Sequence, residues 1–242
     1  MEKLIPLFLV AAFAAGCATG PDKAALQARK DATSKLPKIE LLYNEQDELA
    51  VMDLGGSNMT GMAGLLGPIG LLVAVGVDAG SKLSMAERTE KRSKEFTAAV
   101  QKDSPALGLN KQFAEQLADR IRAGGREFKL TPTKRATGAL AKMSTPDTPI
   151  DPDYAPLTVR ITTGYGAKDA TSSFQPLITV EYQLKKDEKV VYQSSFVKRP
   201  GEPTYFTYGA LLDQRVAARQ GLAQGLTSSV DSIYRGLFEF DL

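Results

Sequence analysis

The chain has 242 residues, of which 43% are hydrophobic, and its 30 basic and 28 acidic residues leave a formal charge of +2. This length and apolar content predict one folded domain or two small ones, and the near-neutral charge gives no reason to expect nucleic acid as a partner. Because histidine is absent and cysteine occurs once, general bases, zinc ligands and internal disulfides are poorly supplied, and we predict no enzymatic activity, no cofactor and no metal.

The first seventeen residues have the pattern of an export signal. Lys3 precedes an apolar run, residues 4–15, and small residues follow directly before Cys17. A charged start, a short apolar segment and a small-residue exit are typical of a secretory signal peptide. The run is shorter than the roughly 20 residues that a membrane-spanning helix needs. The sequence therefore predicts an exported protein.

The segment Ala14-Ala15-Gly16-Cys17 resembles the lipobox of bacterial lipoproteins. The resemblance implies a diacylglycerol on the Cys17 sulfur, cleavage before that residue and fatty acylation, with palmitate for example, of the new amine. Ala18 stands where aspartate marks the family's inner-membrane proteins. This implies the outer membrane of a Gram-negative bacterium, facing the periplasm. The alternative is an ordinary cleavage after Ala14, which would release a soluble protein.

The organisation of the chain follows from this anchor. Residues 1–16 are the predicted signal peptide, and residues 17–37, which are small and polar, are predicted to form a lipidated tether with a short helix over residues 22–34. Residues 38–242 are expected to form a single α+β domain with a glycine-rich apolar insertion at about 57–82.

The domain begins with two segments of alternating hydrophobicity. Residues 38–43 and 49–53 alternate apolar and polar side chains, and the polar residues 44–48 lie between them. A period of two on both sides of a short polar connection predicts a β-hairpin.

The apolar insertion admits two interpretations. Residues 62–77 are apolar throughout and hold Pro68 and several glycines. They form either a buried connector beside the sheet or a surface for membrane contact or self-association, since small residues such as Gly76 and Gly80 at four-residue spacing favour close contact between helices. The candidate partner or membrane contacts of this segment are Leu65, Leu66, Ile69, Leu71 and Leu72.

Two helices are predicted in the centre of the chain. Ser84 with Glu87 three residues later matches a capping box and is expected to begin a polar helix. A second helix is expected from Asn110 to Ala123, with Asn110 as its cap and a glycine pair as its stop. A strand follows near residues 128–130.

The second half of the chain gives the clearest fold signal. Three alternating segments near residues 157–161, 178–184 and 190–197 predict an antiparallel meander with one face open to water, and Gly164-Tyr165-Gly166 is assigned to the turn between the first two. The fold class is therefore predicted as α+β, with an antiparallel sheet of about five to six strands covered by a long C-terminal helix and the central helical pair. The apolar stripe of the C-terminal helix comprises Leu212, Val216, Ala223, Leu226, Val230, Ile233 and Leu237.

The sequence contains no constellation that supports catalysis. Ser195 and Lys198 have a nucleophile-like spacing, but the odd offset places them on opposite faces of a strand. Asp147, Asp151 and Asp153 lie in a proline-rich loop without the glycine and glutamate of a calcium-binding loop, and are interpreted as a solvated turn.

We therefore predict a non-enzymatic binding or assembly module of the cell envelope. Its partner would be an envelope protein, and its contact candidates are the apolar insertion and the aromatic residues Tyr205, Phe206 and Tyr208, for which burial in the core is the alternative. The leading alternative function is a structural lipoprotein that self-associates through residues 61–80. A carboxylate-based envelope hydrolase is a remote alternative.

Overall fold

The structure is a computed structural model that describes residues 23–47, 49–53, 79–104, 108–133, 149–167 and 172–239. The helices are α1 Lys23–Ser34, α2 Ala79–Asp103, α3 Leu109–Ala123, α4 Tyr208–Asp213, α5 Arg215–Thr227 and α6 Val230–Tyr234, which continues as a π-helical turn, Arg235–Glu239. The strands are β1 Lys38–Asn44, β2 Leu49–Asp53, β3 Glu127–Thr133, β4 Ala155–Ala167, β5 Gln175–Lys186 and β6 Lys189–Lys198. The fold is α+β, as the sequence predicts.

The six strands form one mixed sheet in the order β3-β1-β4-β5-β6, with β2 beside β4. The antiparallel pairing of the predicted meander is confirmed, since β5 is antiparallel to both β4 and β6. The prediction that one of its faces is open to water is wrong for β4 and β5, whose polar residues Thr158, Thr162 and Thr179 are buried. In contrast, β1 runs parallel to β3 and β4, and β2 runs parallel to β4. The prediction of a purely antiparallel sheet is therefore wrong for the first half of the chain. Parallel strands need long crossover connections, and α2 and α3 lie in the connection between β2 and β3.

Strands β1 and β2 do not form the predicted hairpin. They pair with successive parts of the same edge of β4, residues 155–159 and 163–167. In the gap between them the side-chain amide of Asn44 takes the place of a strand residue. Its Nδ2 donates to the Ile161 carbonyl at 3.0 Å, and its Oδ1 accepts the Ile161 N–H at 2.8 Å. The polar residues 44–47 thus carry the chain forward along β4 instead of reversing it.

The predicted turn at Gly164-Tyr165-Gly166 is also wrong, because all three residues lie within β4. A Cβ atom on Gly164 would stand 2.7 Å from the carbonyl carbon of Ala50 in β2, so glycine serves here for close approach of two strands. Tyr165 is fully buried, and its hydroxyl donates to the Ala218 carbonyl of α5 at 3.0 Å.

The predicted central helical pair is present, with different beginnings. α3 ends at the predicted glycines, where Gly125 has a φ of 80°. α2 begins at Ala79, so Ser84 lies inside the helix and the predicted capping box is wrong. The Ser93 and Thr97 hydroxyls of α2 accept the N–H groups of Val51 and Leu49 at 2.9 and 3.1 Å, which covers the outer edge of β2.

The cap of α3 comes from a distant part of the chain. Asn110 is the predicted cap, but it lies in the first turn of α3, and the residue at the N-cap position, Gly108, has no side chain that could cap the helix. Instead the buried carboxylate of Asp47 accepts the N–H groups of Leu109 and Asn110 at 2.6 and 2.8 Å. Burial raises the pKa of this carboxyl, and the two backbone hydrogen bonds oppose the rise.

The predicted C-terminal helix is present but interrupted. It is divided into α4, α5 and α6, with breaks at residue 214 and at residues 228–229. Leu226, Ile233 and Leu237 are buried as predicted, whereas Val216 is 53% exposed, so its assignment to the core is wrong. Because the helix is broken just before Val216, the periodicity counted from α4 does not carry into α5. Leu222 contributes to the core instead.

The C-terminal helices cover one face of the sheet. Tyr165, Ile178 and Tyr182 lie on this face, and a Cβ atom on Gly225 would contact the Ile178 side chain. Gly225 therefore lets α5 approach β5 closely. Among the described residues, no helix is both long and apolar enough to span a membrane.

Candidate functional site

The residues predicted to make contacts fall into two groups. Leu65, Leu66, Ile69, Leu71 and Leu72 lie outside the described residues, as does the predicted lipidation site Cys17. The structure does describe the three aromatic residues Tyr205, Phe206 and Tyr208. The first two lie in residues 199–207, which we call the aromatic loop, and Tyr208 is the first residue of α4. The loop and this residue form the candidate site.

Tyr205 fastens the aromatic loop to the core. It is 3% exposed, and its backbone forms an antiparallel bridge with Phe174, with N···O distances of 2.7 and 3.0 Å. Its ring meets the ring of Tyr165 edge to face, with centroids 5.4 Å apart. Burial raises the pKa of the Tyr205 phenol. Tyr205 thus follows the alternative left open by the sequence and packs in the core.

Tyr208 fastens the other end of the loop to α2. Its hydroxyl donates to the Arg92 carbonyl at 3.0 Å and lies 3.1 Å from a carboxylate oxygen of Glu95. The Arg92 guanidinium stands 5.0 Å from the centroid of the Tyr208 ring and 5.8 Å from that of Phe174. Burial, together with the Glu95 carboxylate, raises the pKa of the Tyr208 phenol. These contacts join the loop, α2 and the start of β5.

Phe206 projects from between these two attachments. It is 85% exposed, the largest exposure among the large hydrophobic side chains that the structure describes. The next residue, Thr207, caps α4 by accepting the Ala210 N–H at 3.1 Å. Pro203 of the same loop packs against α5, where a Cβ atom on Gly221 would lie 2.9 Å from the proline Cγ and nearer still to its Cδ. The backbone on both sides of Phe206 is therefore held in place while its ring faces solvent.

The structure describes two buried carboxylates of the strands and their connections, Glu40 and Asp47. Glu40 is fully buried, and it accepts the Thr131 hydroxyl at 2.6 Å and the Asp151 N–H at 2.9 Å. It also lies 3.6 Å from the Lys129 ammonium. Glu40 therefore ties β1 to β3 and to the segment before β4, just as Asp47 ties the end of β1 to α3. Both buried carboxylates have structural partners.

The other candidate groups are separated or solvated. In the part of the chain that the structure describes, no three acidic or cysteine side chains converge on a common point that could hold a metal ion. Ser195 and Lys198 pair with Glu181 and Ile178, which lie on opposite faces of β5, so their separation on opposite faces is confirmed. Asp153 is exposed and Asp151 partly exposed in a turn, whereas Asp147 lies outside the described residues.

Sequence reasoning did not find the buried polar cluster of Asn44, Asp47 and Asn110. The Asn110 amide donates to the backbone carbonyls of Asn44 and Gln46 at 2.9 and 3.1 Å. These partners are more than 60 residues apart, so no local pattern connects them. The only local signal is polar residues that continue an otherwise strand-like segment.

Comparisons with known proteins leave the family open. No family model and no curated protein matches this chain. It is similar to the crystal structure of an uncharacterized protein, with 11% identity, a TM-score of 0.36 and coverage of 84% of this chain and 93% of that one. It is also similar to a "putative neuraminyllactose-binding hemagglutinin homolog" from Helicobacter pylori, with 11% identity, a TM-score of 0.35 and 83% of both chains covered. Scores this low carry no argument about fold or function.

Proposed function

We propose that the protein is a lipid-anchored, periplasm-facing lipoprotein of the outer membrane that binds another envelope protein and catalyses no reaction. The anchor rests on the signal-like segment that ends at Cys17. A single acyl chain holds a protein only marginally, and the two or three chains of such an anchor hold it firmly. The binding role rests on Phe206.

The observation that carries the binding role is the 85% exposure of the Phe206 side chain on a loop fixed at both ends. Burying a phenylalanine stabilises a fold by about 1.5–3 kcal/mol relative to leaving it in water. This fold leaves that contribution unused at Phe206 although Tyr205 beside it is buried. Aromatic side chains are enriched in protein interfaces. An aromatic ring on a fixed backbone also loses little conformational freedom when it binds.

The position of the loop supports a protein partner in the periplasm. The chain enters the sheet at Lys38, and the next residue pairs with Ala155 at the beginning of β4. Tyr205 of the aromatic loop pairs with Phe174. The next residue, Gln175, pairs with Gly166 near the end of β4. With about 3.3 Å per strand residue, these two ends of β4 lie roughly 40 Å apart. Phe206 therefore lies near the end of β4 opposite to the end at which the chain enters the sheet.

The anchor is tested by palmitate labelling and fractionation of cells that produce the protein or its Cys17→Ser variant. We expect label and membrane association for the wild type, and neither label nor membrane association for the variant. A wild-type protein that carries an unmodified thiol at Cys17, or that is cleaved after Ala14 and found in the soluble periplasmic fraction, would contradict the anchor.

The binding role is tested by photo-crosslinking in intact cells. A photoreactive residue replaces Phe206 in one variant and Val190 in a matched control, because Val190 is also an exposed hydrophobic residue, at 50%, but lies in the β5–β6 hairpin at the other end of the sheet. We expect a discrete crosslinked envelope protein from position 206 and not from position 190.

The same experiment separates the alternatives. A crosslink from position 206 to a second copy of the chain would favour the self-associating lipoprotein, and deletion of residues 61–77 would then be expected to abolish the oligomer. Equal, diffuse crosslinking from both positions would exclude Phe206 as a specific contact and leave the anchor proposal untouched.

A further inference from the structure

A small cavity lies where β4 ends, β5 begins and the aromatic loop leaves β6. Its volume is about 190 Å³, and its lining consists of Gly166, Ser172, Ser173, Gln175, Pro176, Leu177 and Arg199. Gly166 of β4 pairs with Gln175 of β5. Arg199 directly follows Lys198, the last residue of β6. The ends of β4, β5 and β6 therefore converge here. Since water occupies about 30 Å³ per molecule in the liquid, the space corresponds to roughly six waters.

Gly166 keeps the cavity open. A Cβ atom at Gly166 would meet nothing within 4 Å, whereas at Gly164, two residues earlier on the same face of β4, it would collide with the β2 backbone. Gly164 is thus explained by strand contact, and Gly166 is not. The absence of a side chain at Gly166 instead leaves room above the sheet.

The lining has the chemistry of an anion site with an apolar wall. The polar side chains are two serines, Gln175 and Arg199, all of which can donate hydrogen bonds, and among the described residues no acidic side chain lines the cavity. Arg199 is exposed and has no carboxylate within 4 Å among the residues that the structure describes. Pro176 and Leu177 supply the apolar wall, and Leu177 is 5% exposed.

We propose that this cavity binds the carboxylate of a small organic acid, with the Arg199 guanidinium as its charged partner. A guanidinium forms paired hydrogen bonds with a planar carboxylate. One positive charge matches one carboxylate, and the wall formed by Pro176 and Leu177 suits the hydrocarbon part of an acid of about six non-hydrogen atoms. For a ligand of this size the expected dissociation constant is on the order of 1 mM. The proposal is independent of the role of Phe206.

The test is ligand-observed NMR on the full chain in detergent, titrated with propanoate, lactate and 3-hydroxybutyrate. Lactamide serves as the neutral analogue of lactate, and inorganic phosphate serves as the competing anion class. We expect at least one acid to saturate the protein and lactamide to show no binding. Removal of the charge by Arg199→Gln should weaken acid binding at least tenfold, since hydrogen bonds to charged groups are the strong ones.

Two further variants keep the test independent of folding. Lys189→Gln removes a charge at the far end of β6 and should leave binding unchanged. Gly166→Val places a side chain in the cavity from a position whose Cβ meets nothing within 4 Å, so it should weaken binding strongly while circular dichroism and the melting temperature stay near those of the wild type. The proposal is overturned if none of the acids binds at 50 mM, if Arg199→Gln binds them as the wild type does, or if phosphate binds and the acids do not.

Discussion

The close approach of β2 and β4 can be tested with two glycines of one strand. In Gly164→Ala the new Cβ would lie 2.7 and 2.8 Å from the carbonyl carbon and the nitrogen of Ala50, and nearer still to its oxygen. Ordinary contacts between heavy atoms begin near 3.5 Å, so β2 would have to move away from β4 by more than about 1 Å. Because the obstructing atoms are backbone, no side-chain rotation relieves the collision.

The expected loss follows from this geometry. Overpacking of a tightly packed site typically costs 1–3 kcal/mol, and the backbone contact places Gly164→Ala at about 3 kcal/mol. For a chain of this size that corresponds to a fall in melting temperature of roughly 6–12 °C. The matched control is Gly166→Ala, whose Cβ meets nothing within 4 Å and should change stability by less than about 0.5 kcal/mol.

Urea unfolding of both glycine variants, followed by far-ultraviolet circular dichroism, measures these free energies. The contact between β2 and β4 predicts a clear difference between two identical substitutions placed two residues apart. If Gly164→Ala and Gly166→Ala had equal stabilities, or if Gly164→Ala were neutral, the pairing of β2 with β4 would be refuted.

Three other predictions concern buried polar groups. Asn44→Ala leaves the Ile161 N–H and carbonyl without their partners and should lower the free energy of unfolding by about 2–5 kcal/mol, as measured by urea unfolding. Asp47→Ala removes the cap of α3 and should lower the free energy of unfolding by about 2 kcal/mol or more in the same assay. In the same variant the backbone N–H of Asn110 should exchange with solvent faster than in the wild type. Burial raises the pKa of the Tyr165 phenol above its value of about 10 in the unfolded chain. The stability linked to this group is therefore present below pH 10 and is lost as the pH rises further. Between about pH 10 and 11, the free energy of unfolding of Tyr165→Phe should fall less than that of the wild type.

The strands and helices of the domain could be predicted because their patterns are local. Alternation of apolar and polar residues identified β4, β5 and β6, and the charged turn between β5 and β6 matches the positive φ values of Asp187 and Glu188. Glycines at the end of α3 identified its stop. In each case the residues that decide the structure lie within a few positions of one another.

The order of the strands could not be predicted in the same way. The alternation in β1 and β2 is compatible with a hairpin and with two parallel segments, because both arrangements bury one face of each strand. Likewise, glycine breaks a strand pattern whether it forms a turn or admits a neighbouring backbone, and at Gly164 the second case applies. A local pattern does not distinguish these cases.

The candidate site shows the same limit. The sequence assigned Tyr205, Phe206 and Tyr208 to a single group, since three aromatics in one loop look alike. The structure separates them, because Tyr205 pairs with Phe174 and Tyr208 binds α2, and only Phe206 is left to solvent. These partners lie about 30 and more than 100 residues away in the chain, so exposure at the site is decided by contacts that no nearby residue reveals.

Buried polar side chains supply what the apolar pattern leaves undecided. Asn44 bonds both polar groups of Ile161, Asp47 bonds the start of α3, and Asn110 bonds back to the segment between β1 and β2. A hairpin of β1 and β2 would turn this segment back on itself and leave these groups without their partners, at about 1–3 kcal/mol for each buried group. Several such losses approach the whole stability of a domain, which is typically 5–15 kcal/mol. The apolar residues thus favour a sheet, and this polar cluster selects the mixed sheet over the hairpin.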